Sequence, residues 1–126
     1  MTNFVPDDWP QVIPRLSVAD PEAATRFIKA VFGAEGRYTA DRPTELRIGA
    51  SLLMVAGVLE RTPTTASLYV YVPDVDEAHQ TALRQGAEEL EAPRELPYGD
   101  RHSMVRDAWG TTWQIATHRG WTENSD

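Results

Sequence analysis

The residues of this chain best suited to chemistry are three histidines, His79, His102 and His118, the charged set Arg15, Glu45 and Arg47, and two tyrosines two positions apart, Tyr69 and Tyr71. An imidazole can move a proton near neutral pH, and a guanidinium can stack and donate paired hydrogen bonds to a carboxylate or phosphate. A tyrosine offers a flat apolar face with a hydroxyl at its tip. Cysteine is absent, which excludes disulfides, thiolate nucleophiles, thiolate zinc sites and iron–sulfur clusters. Any metal would need His, Asp, Glu or Gln, and no two of the histidines have helix or strand spacing for a shared ion.

These side chains must be positioned by elements that the chain repeats. Val18 to Glu35 is echoed by Val72 to Glu88, with Asp20 matching Asp74 and Gly33 matching Gly86. Each copy aligns a strand end, a helix and its terminating glycine. Asp20 reads as an N-cap, Pro21 as the first helical residue, and Glu22 as an acid in the first turn. Ala24, Phe27, Ile28, Val31 and Phe32 have the spacing of one buried helical face. Strands are expected at 12–18, 36–40, 44–48 and 51–56 in the first copy. In the second they are expected from Ser67, at 88–92, 102–106 and 112–117, with a hairpin turn at Asp107–Gly110. The expected fold is α+β, a single domain over 1–126 of two tandem β-α-β-β-β modules, about 12–56 and 67–118, joined by loop 57–66. Their curved sheets would enclose a central cavity.

Strand alternation then assigns the lining. If Leu16 and Val18 cover the helix, Ile13, Arg15 and Ser17 face the cavity. The same parity turns Glu45 and Arg47, then Ser67, Tyr69 and Tyr71, then Thr112, Gln114 and Ala116 inward, and sends Leu46, Trp113 and Ile115 to the core. Arg15 or Arg47 could equally pair with Glu45 as a structural ion pair. The two tyrosines could equally fill a closed core or a subunit interface. His79 reads as an exposed helix position and His118 as a hydrogen-bonder at a strand end. His102, in the loop before a strand, is the histidine best placed to touch ligand. Asp100 and Arg101 beside it read as a loop-holding salt bridge. Tyr98 and Trp109 sit in turns, where a large aromatic can lid a pocket, while Trp9 and Trp121 on the terminal arms suit a dimer seam.

Paired β-α-β-β-β modules resemble the vicinal oxygen chelate superfamily, which includes glyoxalase I, extradiol dioxygenases, fosfomycin-resistance enzymes and bleomycin-binding proteins. The most specific stretch, Tyr98 to His118, with Glu45 to Gly49, looks like the phosphonate-operon-like branch. The resemblance implies a metal site with one ligand from each of four strands, at Ile13, at Ser67, at Gln114 and on 51–56. Ile13, Leu52, Leu53, Met54 and Val55 offer no oxygen or nitrogen donor, and neither Ile13 nor Ser67 is a histidine. The metal of the family is therefore expected to be lost, and no cofactor is expected.

Twelve basic against nineteen acidic residues give a net charge of −7, which repels nucleic-acid backbones and anionic lipid. No apolar run approaches a membrane span, and Met1 to Asp8 lacks the features of a signal peptide, so a cytoplasmic protein is expected. The function expected from these readings is metal-independent binding of a small organic molecule, aromatic or anionic and antibiotic-like, by a homodimer. Arg15, Arg47, Tyr69, Tyr71, Tyr98, His102, Trp109 and Gln114 are the candidate ligand contacts. The alternative is a glyoxalase- or lyase-type enzyme with an atypical metal site, or with a metal-free acid–base pair such as Glu45 with Tyr69 or His102.

Overall fold

Both helices begin where a carboxylate caps them. In the computed structural model, which describes residues 4–57, 65–97 and 99–120, Asp20 accepts from the Ala23 amide at 3.0 Å and Asp74 from the Glu77 amide at 3.2 Å. These caps open α1 (Pro21–Phe32) and α2 (Val75–Arg84), and α1 ends at Gly33 in the left-handed conformation, φ 66°. The strands are β1 (Arg15–Val18), β2 (Thr44–Ile48), β3 (Ser51–Gly57), β4 (Ser67–Tyr71), β5 (Glu88–Glu95), β6 (Asp100–Arg106) and β7 (Thr112–His118). The fold is α+β, with two mixed sheets and two helices. No helix among the described residues is long and apolar enough to cross a membrane.

The chain divides into two units, one of residues 1–29 and 33–64, the other of 30–32 and 65–126. In the first, β1 runs parallel to β3 and β2 antiparallel to it, in the order β1-β3-β2. In the second the order is β4-β7-β6-β5, with β4 parallel to β7 and the other pairs antiparallel. The two sheets share one connectivity, except that the first lacks its outermost strand. The strand expected at 36–40 is not formed, and only a bridge between Glu35 and Arg47 marks its place. Gly36, at φ 144°, lies so close to β2 that a Cβ there would collide with the carbonyl oxygen of Glu45. Beyond it the chain turns onto side-chain bonds. The Thr39 amide donates to Thr44 Oγ1 at 3.0 Å and Thr39 Oγ1 to the Arg42 carbonyl at 3.0 Å.

Four strands are longer than expected, β3 by its last residue, Gly57. β5 continues to Glu95, β6 begins at Asp100 rather than at residue 102, and β7 reaches His118. In the second unit α2 packs on β5, β6 and β7. Here the expectation of an exposed His79 is overturned, because the side chain is fully buried. Its Nδ1 lies 2.9 Å from Ser103 Oγ on β6 and its Nε2 2.6 Å from Glu89 Oε2 on β5. Val75, Ala78, His79 and Ala82 form the buried stripe of the helix, so the imidazole occupies a core position and meets the sheet with both nitrogens paired.

The hairpin between β6 and β7 is organised by Asp107, which is 6% exposed. Its Oδ1 accepts from the amides of Trp109 and Thr111, each at 2.9 Å, and its Oδ2 from the indole Nε1 of Trp113 at 2.9 Å. Gly110 supplies the positive φ, 92°, that the turn needs. Trp113 is wholly buried, with its ring centroid 4.8 Å from that of Phe32.

Candidate functional site

Alternation along β4, β6 and β7 places one set of side chains on the sheet face turned away from α2. Ser103, on the opposite parity, meets His79 of the helix, so its neighbours His102 and Met104 point the other way. The register pairs Tyr69 with Gln114, Tyr71 with Ala116, His102 with Ala116, and Asp100 with His118. These residues therefore share a face, and Ala116, a small buried residue, sits between Tyr71 on one neighbouring strand and His102 on the other.

Asp100 is the centre of this face. It is 1% exposed, and Tyr69 Oη donates to its Oδ2 at 2.7 Å and Tyr71 Oη to the same oxygen at 3.1 Å. Both tyrosines reach across β7 to do so. His118 Nδ1 lies 2.7 Å from Oδ1, which is the strand-end hydrogen bond expected of this histidine. Burial, the largest single influence, pushes the Asp100 carboxyl up, but His118, Tyr69 and Tyr71 together outweigh it and hold it below the ordinary carboxylate value. The group is a buried carboxylate with three donors.

Aromatic rings cover it. The centroids of Tyr69 and Tyr71 are 5.3 Å apart, and Tyr69 stacks on His102 at 5.6 Å. Tyr69 is 40% exposed and Tyr71 59%. His102 Nε2 lies 3.0 Å from Gln114 Oε1, while His102 Nδ1 is buried without a hydrogen-bond partner.

The backbone holds this end of the sheet by close approach. Gly99, at φ 98°, lies where a Cβ would fall 2.6 Å from the carbonyl oxygen of Gly120, and the Arg119 amide donates to the Gly99 carbonyl at 2.8 Å. Arg101, one residue on from Asp100, points to the α2 side. It binds both oxygens of Asp76 at 2.9 Å and Glu95 Oε2 at 3.0 Å. The expected Asp100–Arg101 loop salt bridge does not form, because adjacent residues of a strand face opposite ways. The Arg101 guanidinium holds the Asp76 carboxyl below its usual value, and the Arg101 value is itself raised by Asp76 and Glu95.

Tyr69, Tyr71, His102 and Gln114 thus share one face, and Asp100 and His118 are the members that sequence reasoning did not place with them. Trp109 lies at the other end of the β6–β7 pair from Asp100, about 20 Å along the strands, half-buried in the hairpin turn. Tyr98 lies outside the described residues, as does Trp121. Arg15 and Arg47 belong to the first unit. Arg15 is exposed and borders a cleft of about 280 Å³ with Tyr38, Asp41 and Arg42, while Arg47 Nη2 donates to the Asp8 carbonyl at 3.0 Å. Neither arginine pairs with Glu45, which is exposed.

The metal site implied by the resemblance can be tested on its donors. Ile13, Leu52, Leu53 and Val55 present hydrocarbon, and Ser67 is an exposed hydroxyl. The Gln114 amide oxygen is engaged by His102. A divalent cation needs three or four N/O donors at fixed distances, and this set does not fit one. Among the described residues no three His, Asp or Glu side chains converge on a point.

A model of the family described as "Glyoxalase-like domain" matches residues 12–116. An uncharacterised protein of Mycobacterium bovis is 28% identical over 124 residues, covering 84% of this chain and 82% of that protein. Among solved structures, TioX from Micromonospora sp. ML1 superposes with a TM-score of 0.72 at 25% identity, over 86% of this chain and 98% of TioX. A member of the glyoxalase/bleomycin resistance protein/dioxygenase superfamily from Sphaerobacter thermophilus gives 0.69 at 19% identity, over 86% and 98%. With the family model spanning both units and the same fold recurring in these structures, the chain belongs to the glyoxalase-like domain family.

Proposed function

We propose that this protein is a metal-independent binder of a small planar organic molecule, held against the face built by Tyr69, Tyr71 and His102, and that it acts as a homodimer of the phosphonate-operon-like branch. The observation that carries the reading is the ring stack over Asp100. Two tyrosines stand partly in solvent, yet their hydroxyls are tied to a buried carboxylate and their rings are ordered against each other and against His102. A binding surface whose side chains are already fixed loses little entropy when a ligand arrives. The hydrocarbon at the family's ligand positions supports the metal-free part, and kinship with a superfamily that includes bleomycin resistance proteins supports sequestration.

Native mass spectrometry of protein purified without chelator tests this reading. A metal-free dimer that carries or takes up one planar aromatic molecule per chain is expected, with uptake lost in a Tyr69→Ala/Tyr71→Ala variant. One transition-metal ion per chain would overturn the metal-free assignment.

The contact between Asp100 and His118 favours a second reading, an acid–base enzyme. A carboxylate on Nδ1 fixes the tautomer of His118, so that Nε2 carries the basic lone pair, as in other Asp–His pairs. In this reading His118, and not Glu45 or His102, is the base. Turnover that His118→Gln abolishes while aromatic binding persists would establish it.

A further inference from the structure

The internal repeat gives the Tyr69 face a counterpart in the first unit. Arg15 stands five residues before the cap Asp20, as Tyr69 stands five before Asp74. The registers agree. Arg15 lies opposite Met54 and Thr44 opposite Val55, while Tyr69 lies opposite Gln114 and Ser103 opposite Ile115. Thr44 and Ser103 are both wholly buried, so each sheet turns the same parity away from its exposed face.

The two places are filled differently. Asp41 stands three residues before Thr44, as Asp100 stands three before Ser103. Asp100 is sealed under three donors, whereas Asp41 is exposed and unpaired among the described residues. Because the strand expected at 36–40 is not formed, the segment 38–43 instead walls the cleft of about 280 Å³ that Arg15 borders. Ala56 and Gly57 bring little side chain to its lining, and Tyr38, Pro21 and Pro43 give it apolar walls.

Most arginines of this chain are held by partners, as Arg101 is by Asp76 and Glu95 and Arg106 by Glu88. Among the described residues, Arg15, Arg37 and Arg42 are the ones whose guanidinium has neither a hydrogen bond nor an ion pair, and two of these three border the same cleft. A guanidinium fork matches a carboxylate with two parallel hydrogen bonds. Arg15 and Arg42 with Asp41 leave the lining one net positive charge, which a singly charged carboxylate balances and a phosphate dianion exceeds. The volume lies just under the range of about 300–1,000 Å³ usual for small-molecule pockets, so the ligand must be small.

We propose that this cleft is a ligand site in its own right, independent of the binding reading above, and that it takes a small aryl carboxylate. Arg15 and Arg42 hold the carboxylate, and the ring lies against Tyr38 and the two prolines.

Titration of the isotope-labelled full chain, followed by NMR in about 0.15 M salt, tests this with four probes. 1-Naphthoate is the aryl carboxylate, 1-naphthamide its neutral analogue, 1-naphthyl phosphate a dianion on the same ring, and proflavine a planar aromatic cation. 1-Naphthoate is expected to shift Arg15, Tyr38, Arg42 and Ala56, to bind at least about tenfold more tightly than 1-naphthamide, and to bind no more weakly than 1-naphthyl phosphate. Arg15→Gln and Arg42→Gln should each weaken it by about tenfold, whereas Arg37→Gln, the same charge change outside the lining, should leave it within about twofold. All three side chains are exposed, so none of the variants removes a hydrogen bond or ion pair of the fold. 1-Naphthamide binding as tightly as 1-naphthoate, or Arg37→Gln weakening it as much as the other two variants, would overturn the carboxylate site. Tighter binding of 1-naphthyl phosphate would overturn the choice of carboxylate. 1-Naphthoate shifting only Tyr69, Tyr71 and His102, or binding nowhere, would overturn the cleft assignment and leave the reading of the Tyr69 face standing. Proflavine decides that reading separately: if it fails to shift Tyr69, Tyr71 and His102, that reading falls, while the cleft assignment holds on the 1-naphthoate result.

Discussion

Tyr69 donates its hydroxyl to Asp100 Oδ2 at 2.7 Å from a strand two places away in the sheet. The bond ties β4 to β6 over the top of β7 and fixes the orientation of a ring that stands 40% exposed. Tyr71 makes the same connection at 3.1 Å from a more exposed position. Hydrogen bonds to a charged group contribute about 1.5–3 kcal/mol when buried and less as water competes. Tyr69→Phe should therefore cost about 1–2 kcal/mol of unfolding free energy and Tyr71→Phe less than about 1 kcal/mol. Urea denaturation at neutral pH measures both, and the reverse order would contradict the assigned geometry.

Asp100→Asn should destabilise the protein by about 2–4 kcal/mol, because three donors converge on a carboxylate that an amide cannot replace on both sides. The loss has a defined pH dependence. The folded carboxyl lies below its ordinary value of 3.8, so the unfolded chain takes up the proton first. Its contribution is fully present above that ordinary value and is lost as pH falls through the lower, folded one. Wild-type stability should drop on the acid side of 3.8, and the gap between wild type and Asp100→Asn should close there. A gap that widened with acidification would contradict the sign.

Asp107→Ala removes three hydrogen bonds at once from a turn and leaves the wholly buried indole N–H of Trp113 without an acceptor. The expected cost is about 3 kcal/mol or more, read from thermal unfolding. Asp107 lies at the far end of the β6–β7 pair from Asp100, so ligand affinity under folding conditions should be unchanged.

Gly99→Ala tests the framework of the face. A Cβ would lie 2.6 Å from the Gly120 carbonyl oxygen, at a φ of 98° that side chains rarely adopt. A loss of about 2 kcal/mol or more is expected, together with weakened ligand binding, since the same approach holds Asp100 opposite His118. Gly49→Ala, where a Cβ meets open space at φ 60°, should cost only about 1 kcal/mol and spare binding.

Much of this architecture is written locally. The caps Asp20 and Asp74, the stop at Gly33, the Asp107–Gly110 turn and the burial of Leu16, Val18, Leu46 and Trp113 follow from residue type and alternation. The shared face of Tyr69, Tyr71 and Gln114 follows from parity alone, whereas His102, expected in the loop before a strand, joins them because β6 begins two residues earlier. The centre of that face was lost by two residues. With β6 read as starting at His102, Asp100 fell into a loop beside Arg101. Counting outward from the turn, Arg106 faces Thr112 and six residues further Asp100 faces His118, a signal the sequence did contain. His79 was legible too, since it stands four residues after Val75 on the buried stripe, but its polarity argued for the surface. The unformed strand at 36–40 was not legible, because the close approach of Gly36 to Glu45 is a tertiary contact.

The central claim is that ligand binds the Tyr69–Tyr71–His102 face, and an NMR titration of isotope-labelled protein with proflavine tests it most directly. Shifts concentrated at Tyr69, Tyr71, His102, Gln114 and Ala116 are the predicted result. Shifts confined to Arg15, Tyr38 and Asp41, around the cleft of the first unit, would contradict it.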